Sequence, residues 1–255
     1  MVYNIGSFTQ TYGNDREILF KLRKENYLDR MFRNNFKVNI FSFHNSDEDY
    51  VKNITEKYLK PYYENLLVIR QNGISYTSCV KNVIYKLKEL KVNSIFFCQD
   101  DGFCVSDSYD KLKASIDIFT QEDLKMLHMD NCDPNVTGCC DFQRKFEKDG
   151  MTIWYNNMQR VIDKLGEACM GDSPYLAEID YLLDRFYDNG YFQKPDVWQS
   201  EVYQYTKTYK PDTVRYQVEE SLFHNINVVG SNAMKHYTHE TIVNKLLSFL
   251  GNKHA

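Results

Sequence analysis

The sequence has no apolar run approaching the roughly 20 residues that a membrane-spanning helix needs, and so no membrane span is expected. It has no excess of basic residues. The net charge is -4 and the pI about 5.9, which excludes the clustered Lys and Arg of a nucleic-acid-binding face. Cysteine occurs seven times at irregular spacings, an odd number without the paired spacing of zinc knuckles. That argues against a disulfide framework and for free thiols in a reducing compartment. The opening MVYNIGSFTQ lacks the basic-then-apolar pattern of a secretory signal, and a soluble, cytoplasmic protein is expected. Glycine is scarce near the start: IGSFTQTYGN holds none of the glycine-rich phosphate loop that a nucleotidyltransferase would carry there. There is no internal repeat, low-complexity segment or clear linker, and residues 1–255 read as one domain.

What the chain has is aromatic residues, 20 Tyr and 16 Phe, and a strand–helix alternation through its first hundred residues. VYNIGSF, FKVNIFSF, LLVIRQ and VNSIFF read as strands. DREILFKLRKENYLDRMFRN reads as a helix capped by Asp15, SDEDYVKNITEKYLKPYYEN as a helix that Pro61 ends or kinks, and SYTSCVKNVIYKLKELK as a third. This order predicts an α/β fold with a mostly parallel central sheet flanked by helices. Ligands on such sheets bind beyond the carboxyl ends of the strands. TQTYGNDR, HNSDED, RQNG and CQDDG therefore share one crevice. The second half is less regular. SYDKLKASIDIF reads as a helix into a strand and KMLHMD as a strand; MTIWYNNMQRVIDKLGEAC, SPYLAEIDYLLDRFYDNG and the last segment HETIVNKLLSFL read as helices.

The fourth strand runs from apolar residues straight into Asp100 and Asp101. Asp-Asp-Gly makes a good turn. At a strand end that opens on a ligand crevice, it also makes a site for a hard cation. Mg²⁺ or Mn²⁺ takes one or two carboxylates and fills its other positions with water and phosphate oxygens.

Several segments resemble those of glycosyltransferases of the GT-A fold, in family order from residue 1 to about 235. FFCQDDG is similar to the metal-binding Asp-any-Asp motif, with Gln99 in place of the first Asp. TYGNDREIL, FHNSDED and RQNGISYTSCVKN resemble the nucleotide-binding segments of family 2 enzymes. YLAEIDYLLDRFYDNGY resembles the helix that carries the catalytic base, with Ile179 in place of its second acid. ESLFHNINVVGS resembles the ending seen in N-acetylglucosaminyltransferase IV and relatives, with Asn225 at the position of the family's His and His224 one place earlier. The Tyr- and Asn-rich character is similar to that of small glycosyltransferases of large DNA viruses.

The resemblance implies a nucleotide-sugar-binding half (1–105), an acceptor-binding half (106–235) and a C-terminal helix (236–255). It implies a metal held by Asp101 and His224, with Asp100 as second ligand or ribose contact. Thr9, Thr11, Tyr12 and Arg16 would line the nucleotide pocket. His44 would meet the base, in place of the family's Asp, and Arg70 and Asn72 would sit near ribose or base. Glu178 or Asp180 would be the general base. Two positions apart on a helix they point to different faces, and Glu178 keeps register with Arg185 and Gly190. Trp154 and Trp198 are core residues or platforms for an acceptor sugar. The implied reaction is metal-dependent sugar transfer from a nucleotide-diphosphate donor, a UDP-sugar by preference, to a hydroxyl of a glycan or glycoprotein, with inversion. A sugar-nucleotide nucleotidyltransferase and a binding module without catalysis are the alternatives.

Overall fold

The computed structural model describes residues 3–130, 144–165, 174–187, 213–226 and 240–244. Its main sheet is built on β1 (Tyr3–Tyr12), β2 (Phe36–His44), β3 (Leu66–Gln71) and β4 (Ser94–Gln99). These four lie side by side in the order β3-β2-β1-β4, all parallel. The crossovers are α1 (Glu17–Glu25) with α2 (Tyr27–Arg33), α3 (Glu48–Ile54), and α4 (Tyr76–Glu89). One helix was expected where α1 and α2 stand. Asn26 breaks it with an extended backbone, and its Oδ1 accepts from the Asp29 amide at 3.1 Å to cap α2. The first helix begins after Arg16, not Asp15.

Beyond β4 the sheet becomes mixed. After β5 (Gly102–Cys104) and α5 (Tyr109–Gln121) come β6 (Met126–His128), β7 (Arg144–Lys148), β8 (Met151–Asn157), α6 (Met158–Leu165), β9 (Tyr175–Glu178), α7 (Ile179–Leu182), β10 (Val214–Val218) and β11 (Phe223–Asn225). The nine-stranded order is β3-β2-β1-β4-β9-β6-β10-β8-β7, and β5 pairs with β11 apart from it. β9 runs antiparallel to both β4 and β6, so β6 points the same way as β4.

Three readings of the second half are corrected. SPYLAEIDYLLDRFYDNG does not start as a helix. Tyr175–Glu178 form β9, and only then do α7 and wider π-turns at Leu183–Tyr187 follow. MTIWYNNMQRVIDKL is likewise a strand up to Asn157, and SYDKLKASIDIF is helical from Tyr109 to its end, with no strand inside it. Of the last predicted helix, 240–244 is helical and the rest lies outside the described residues, as do Gly190 and Trp198.

Both faces of the sheet are covered. Phe8, Ile40, Ile95 and Phe97 pack against α4 and α7, while Phe36, Phe96 and Cys98 pack against α2 and α5. Where α4 crosses β1 the chain has Gly6. A Cβ there would come 2.3 Å from Leu87 Cδ2, so only glycine lets the helix lie this close.

Candidate functional site

The acidic pair forms the turn between β4 and β5, at the carboxyl end of the parallel half. Both carboxylates are buried. The Asp100 amide donates to the Gln10 carbonyl at 2.9 Å, tying the turn to β1. Asp100 Oδ1 accepts from Arg16 Nη1 at 2.6 Å, and its Oδ2 accepts from the Thr11 hydroxyl. Burial works against the Arg16 charge, but Asp100 and Asp101 outweigh it and hold the guanidinium pKa above its ordinary value.

Arg23, invisible as a site residue in the sequence, braces the turn from behind. Its Nη2 donates to the carbonyls of Gln99 (3.2 Å), Asp100 (2.9 Å) and Gly102 (2.7 Å). Its Nη1 meets Asp29 Oδ2 at 3.2 Å. The other Asp29 oxygen accepts from Arg33 Nε at 2.8 Å, and Arg33 Nη1 reaches Ser7 Oγ and Thr9 Oγ1 at 2.9 and 3.0 Å. Arg23, Asp29 and Arg33 are each 1% exposed or less. The only sequence signal was the i,i+4 spacing of Asp29 and Arg33 on α2.

Gly102 completes the turn. A Cβ there would fall 2.4 Å from Cys98 Sγ and 2.6 Å from Asn225 Oδ1. Gly102→Ala should force β5 and β11 apart and cost about 1–3 kcal/mol. Urea unfolding of the variant checks this, and an unchanged midpoint would contradict it.

The loops after β1, β2 and β3 are tied to one another across the crevice. Ser46 Oγ donates to the Gly13 carbonyl (2.8 Å), the Ser46 amide to Asn72 Oδ1 (3.2 Å), and Arg70 Nη1 to the Ser46 carbonyl (3.3 Å). Tyr12 is 37% exposed, with its ring 5.1 Å from that of buried His44. His44 Nε2 lies 2.8 Å from the Ile74 carbonyl. A carbonyl only accepts, so Nε2 carries the proton, and in the neutral ring Nδ1 is the acceptor.

On the far side of β4 a second acid stands level with the tip. Phe97 of β4, Tyr175 of β9 and His128 of β6 share one register line. Two residues past His128, Asp130 therefore comes to the height of Gln99. Its Oδ1 accepts from His224 Nδ1 at 2.9 Å and Ser221 Oγ at 2.8 Å. Its carbonyl accepts from Gln217 Nε2 at 2.6 Å. The segment carrying His224 bridges the two acids: the Leu222 and Phe223 amides donate to the Met129 carbonyl, and the Ile226 amide donates to the Asp101 carbonyl.

The structure thus brings Tyr12, Arg16, His44, Arg70, Asn72, Asp100, Asp101 and His224 to the strand-end side of the sheet. Others differ from expectation. Thr9 is fully buried against Arg33, and Thr11 serves Asp100, so neither lines an open pocket. Glu178 and Asp180 are not brought to the crevice. Glu178 pairs in register with Ser94, at the opposite end of β4 from Gln99, and is bound to Lys125 at 3.0 Å; Asp180 is exposed and bound to Lys88 at 2.7 Å. Both line a polar cleft of about 470 Å³ at that end. Five residues of strand separate the two ends by roughly 16 Å. At that distance neither acid can take a proton at the tip. Trp154 is half-buried on β8. Among the described residues no three His, Cys, Asp or Glu side chains converge as a ready-made metal cage. No described helix is long and apolar enough to cross a membrane.

No protein-family model matches the chain, and no curated protein does. Solved structures do. One is S. aureus TarS 1-349, at 12% identity and TM-score 0.50, with 98% of this chain and 71% of that chain covered. Another is 4-diphosphocytidyl-2C-methyl-D-erythritol synthase from Anaerococcus prevotii, also at 12% and 0.50, with 92% and 96% covered. The fold is that of the nucleotide-diphospho-sugar transferases. At this identity what is shared is the GT-A-like architecture, on which glycosyltransferases and sugar nucleotidyltransferases are both built. A mannosyltransferase from Pyrobaculum calidifontis, solved with GDP-Man and Mn²⁺, aligns more loosely at TM-score 0.45 and 9% identity, over 72% of this chain and 47% of that one.

Proposed function

We propose that this chain moves a sugar from a nucleotide-diphosphate donor to a hydroxyl of a glycan or glycoprotein acceptor, with residues 1–105 holding the donor and 106–235 facing the acceptor. The observation that carries the reading is the buried Asp100–Asp101 turn at the crevice end of β4, braced from behind by Arg23 and walled by three interlocked loops. Such a turn fits Mg²⁺ or Mn²⁺, which needs one or two protein carboxylates when phosphate oxygens complete its shell. Asp101 fits the direct role. Asp100 fits it less well, because its two oxygens serve Arg16 and Thr11. When bound, the cation supplies positive charge against a leaving diphosphate. Tyr12 offers an exposed ring for a base to stack on, and Arg70 and Asn72 flank the ribose. The proposed donor is a UDP-sugar, with His44 beside the exposed Tyr12 ring at the position of the family's carboxylate.

The link from β1 to α1 supports sugar transfer over nucleotidyl transfer. It is only Gly13–Arg16, with a single glycine, and its Arg16 is turned onto Asp100. The test is incubation with a panel of nucleotide sugars, with and without Mn²⁺, alongside a parallel arm of nucleoside triphosphate and sugar 1-phosphate. Metal-dependent release of nucleoside diphosphate is expected. Pyrophosphate release in the parallel arm would instead establish a nucleotidyltransferase, and binding without release a module without catalysis.

A further inference from the structure

We infer that His224, oriented by Asp130, is the base that takes the proton from the acceptor hydroxyl; the inference rests on the sugar-transfer reading above. The two acids expected in that role stand at the wrong end of β4, and among the described residues His224 is a group able to take a proton on the crevice side. Asp130 is at the right height. It lies two residues past the end of β6, level with Gln99, and β6 is the second neighbour of β4, placing Asp130 about 10 Å to the side of the tip. The segment 222–226 crosses there, stitched to Met129 at one end and to Asp101 at the other, and His224 is at its middle. A sugar projecting from a diphosphate on the tip toward the second half of the chain meets this segment.

The hydrogen bonds fix which nitrogen can act. A carboxylate only accepts, so Nδ1 of His224 is the protonated nitrogen and Nε2 carries the lone pair of the neutral ring. The Asp130 side chain is 10% exposed and that of His224 24%, so the carboxylate is sheltered while the ring reaches the surface of the crevice. Ser221 and Gln217 hold Asp130 from two more directions. In the step itself, Nε2 takes the hydroxyl proton as the acceptor oxygen bonds to the anomeric carbon. The bond from that carbon to the diphosphate oxygen breaks, and its electron pair leaves with the diphosphate. The imidazolium that results faces the Asp130 carboxylate. His224 is then the catalytic residue and Asp130 a positioning residue.

Three measurements on the full chain test this: UDP binding by calorimetry, Mn²⁺ binding from the free-ion paramagnetic signal, and turnover of the donor found active. His224→Gln should keep both affinities within about twofold and lose turnover by about 10²–10⁴-fold. Asp130→Asn, which preserves volume and leaves the ring in place, should lower kcat while leaving the donor KM unchanged, a split that mere loosening of the fold would not produce. Full turnover in His224→Gln, or a fall in kcat and rise in KM together in Asp130→Asn, would overturn the inference and leave the sugar-transfer reading standing. Loss of Mn²⁺ affinity in His224→Gln would overturn it in favour of a metal ligand. A wild-type chain that binds no nucleotide would remove the sugar-transfer reading and this inference with it.

Discussion

Asp29→Ala is expected to leave the chain unable to fold stably, although Asp29 touches no ligand. The side chain is the carboxylate shared by two guanidiniums, and all three groups are sealed from water. Arginine does not escape burial by losing its proton. Removing the carboxylate would leave two uncompensated charges in the interior, and breaking one buried pair alone costs about 3–5 kcal/mol. A domain of this size has only about 5–15 kcal/mol of stability to lose. Tyr63, whose hydroxyl donates to Asp29 at 3.3 Å, would also lose its acceptor. Arg23→Met should be milder in stability, because the Asp29–Arg33 pair survives it. It takes the Arg23 donor from three carbonyls of the acidic turn, of which those of Gln99 and Gly102 also face the Cys98 thiol, at about 1–3 kcal/mol for a group left buried and unsatisfied. The order of urea midpoints, wild type above Arg23→Met above Asp29→Ala, is the check. An Asp29→Ala protein as stable as wild type would show that the cluster does not depend on charge neutralisation.

The same cluster shows what a sequence can and cannot display. Strands β1 to β4 and the helices between them were legible, because each buries one kind of pattern and is punctuated by polar loops at every strand end. The crevice was legible for the same reason. So was Asp100–Asp101, because two adjacent carboxylates at the end of the apolar run SIFFCQ repel each other unless something positive is brought between them. Arg23, Asp29 and Arg33 sit on helices rich in charge, and nothing local tells an inward-facing arginine from a solvated one. The strand YLAE hid for a different reason. Flanked by β4 and β6, Tyr175, Leu176 and Ala177 are buried on both faces, so the strand shows no alternation and reads as part of the apolar helix that follows. The resemblance to a base-bearing helix had put Glu178 and Asp180 at the crevice; at the end of β9 and the start of α7 they stand instead at the opposite end of β4 from the acidic turn. Asp130 had a signal of its own: KMLHMD repeats the pattern of SIFFCQD, an apolar strand ending on an acid.

Asp101→Asn should abolish metal-dependent nucleotide binding while leaving the fold intact. The side chains that meet at the turn include two carboxylates and the Arg16 guanidinium, which is drawn onto Asp100. The Asp101 carboxylate is the charge that a dication carrying a diphosphate would use. Asparagine keeps the size of Asp101 and its carbonyl oxygen but removes the charge. The backbone of Asp101 would stay in place, since its carbonyl accepts from the Ile226 amide at 3.0 Å. Losing even an outer partner of a bound metal costs about 10–100-fold in affinity, so a direct ligand should cost at least about 100-fold. Asp100→Asn should behave differently. It releases Arg16 from a buried ion pair at 2.6 Å, so its main effect should be on stability, with a smaller loss of Mn²⁺ affinity. Titrating Mn²⁺ into each variant in the presence of UDP, with thermal unfolding alongside, separates the two. If Asp101→Asn binds Mn²⁺ and UDP as wild type does while Asp100→Asn does not, the ligand is Asp100 and Arg16 must move aside to admit the cation. If neither variant loses metal affinity, the acidic turn is held closed by Arg16 and Arg23 for the sake of the fold, and the donor binds without it.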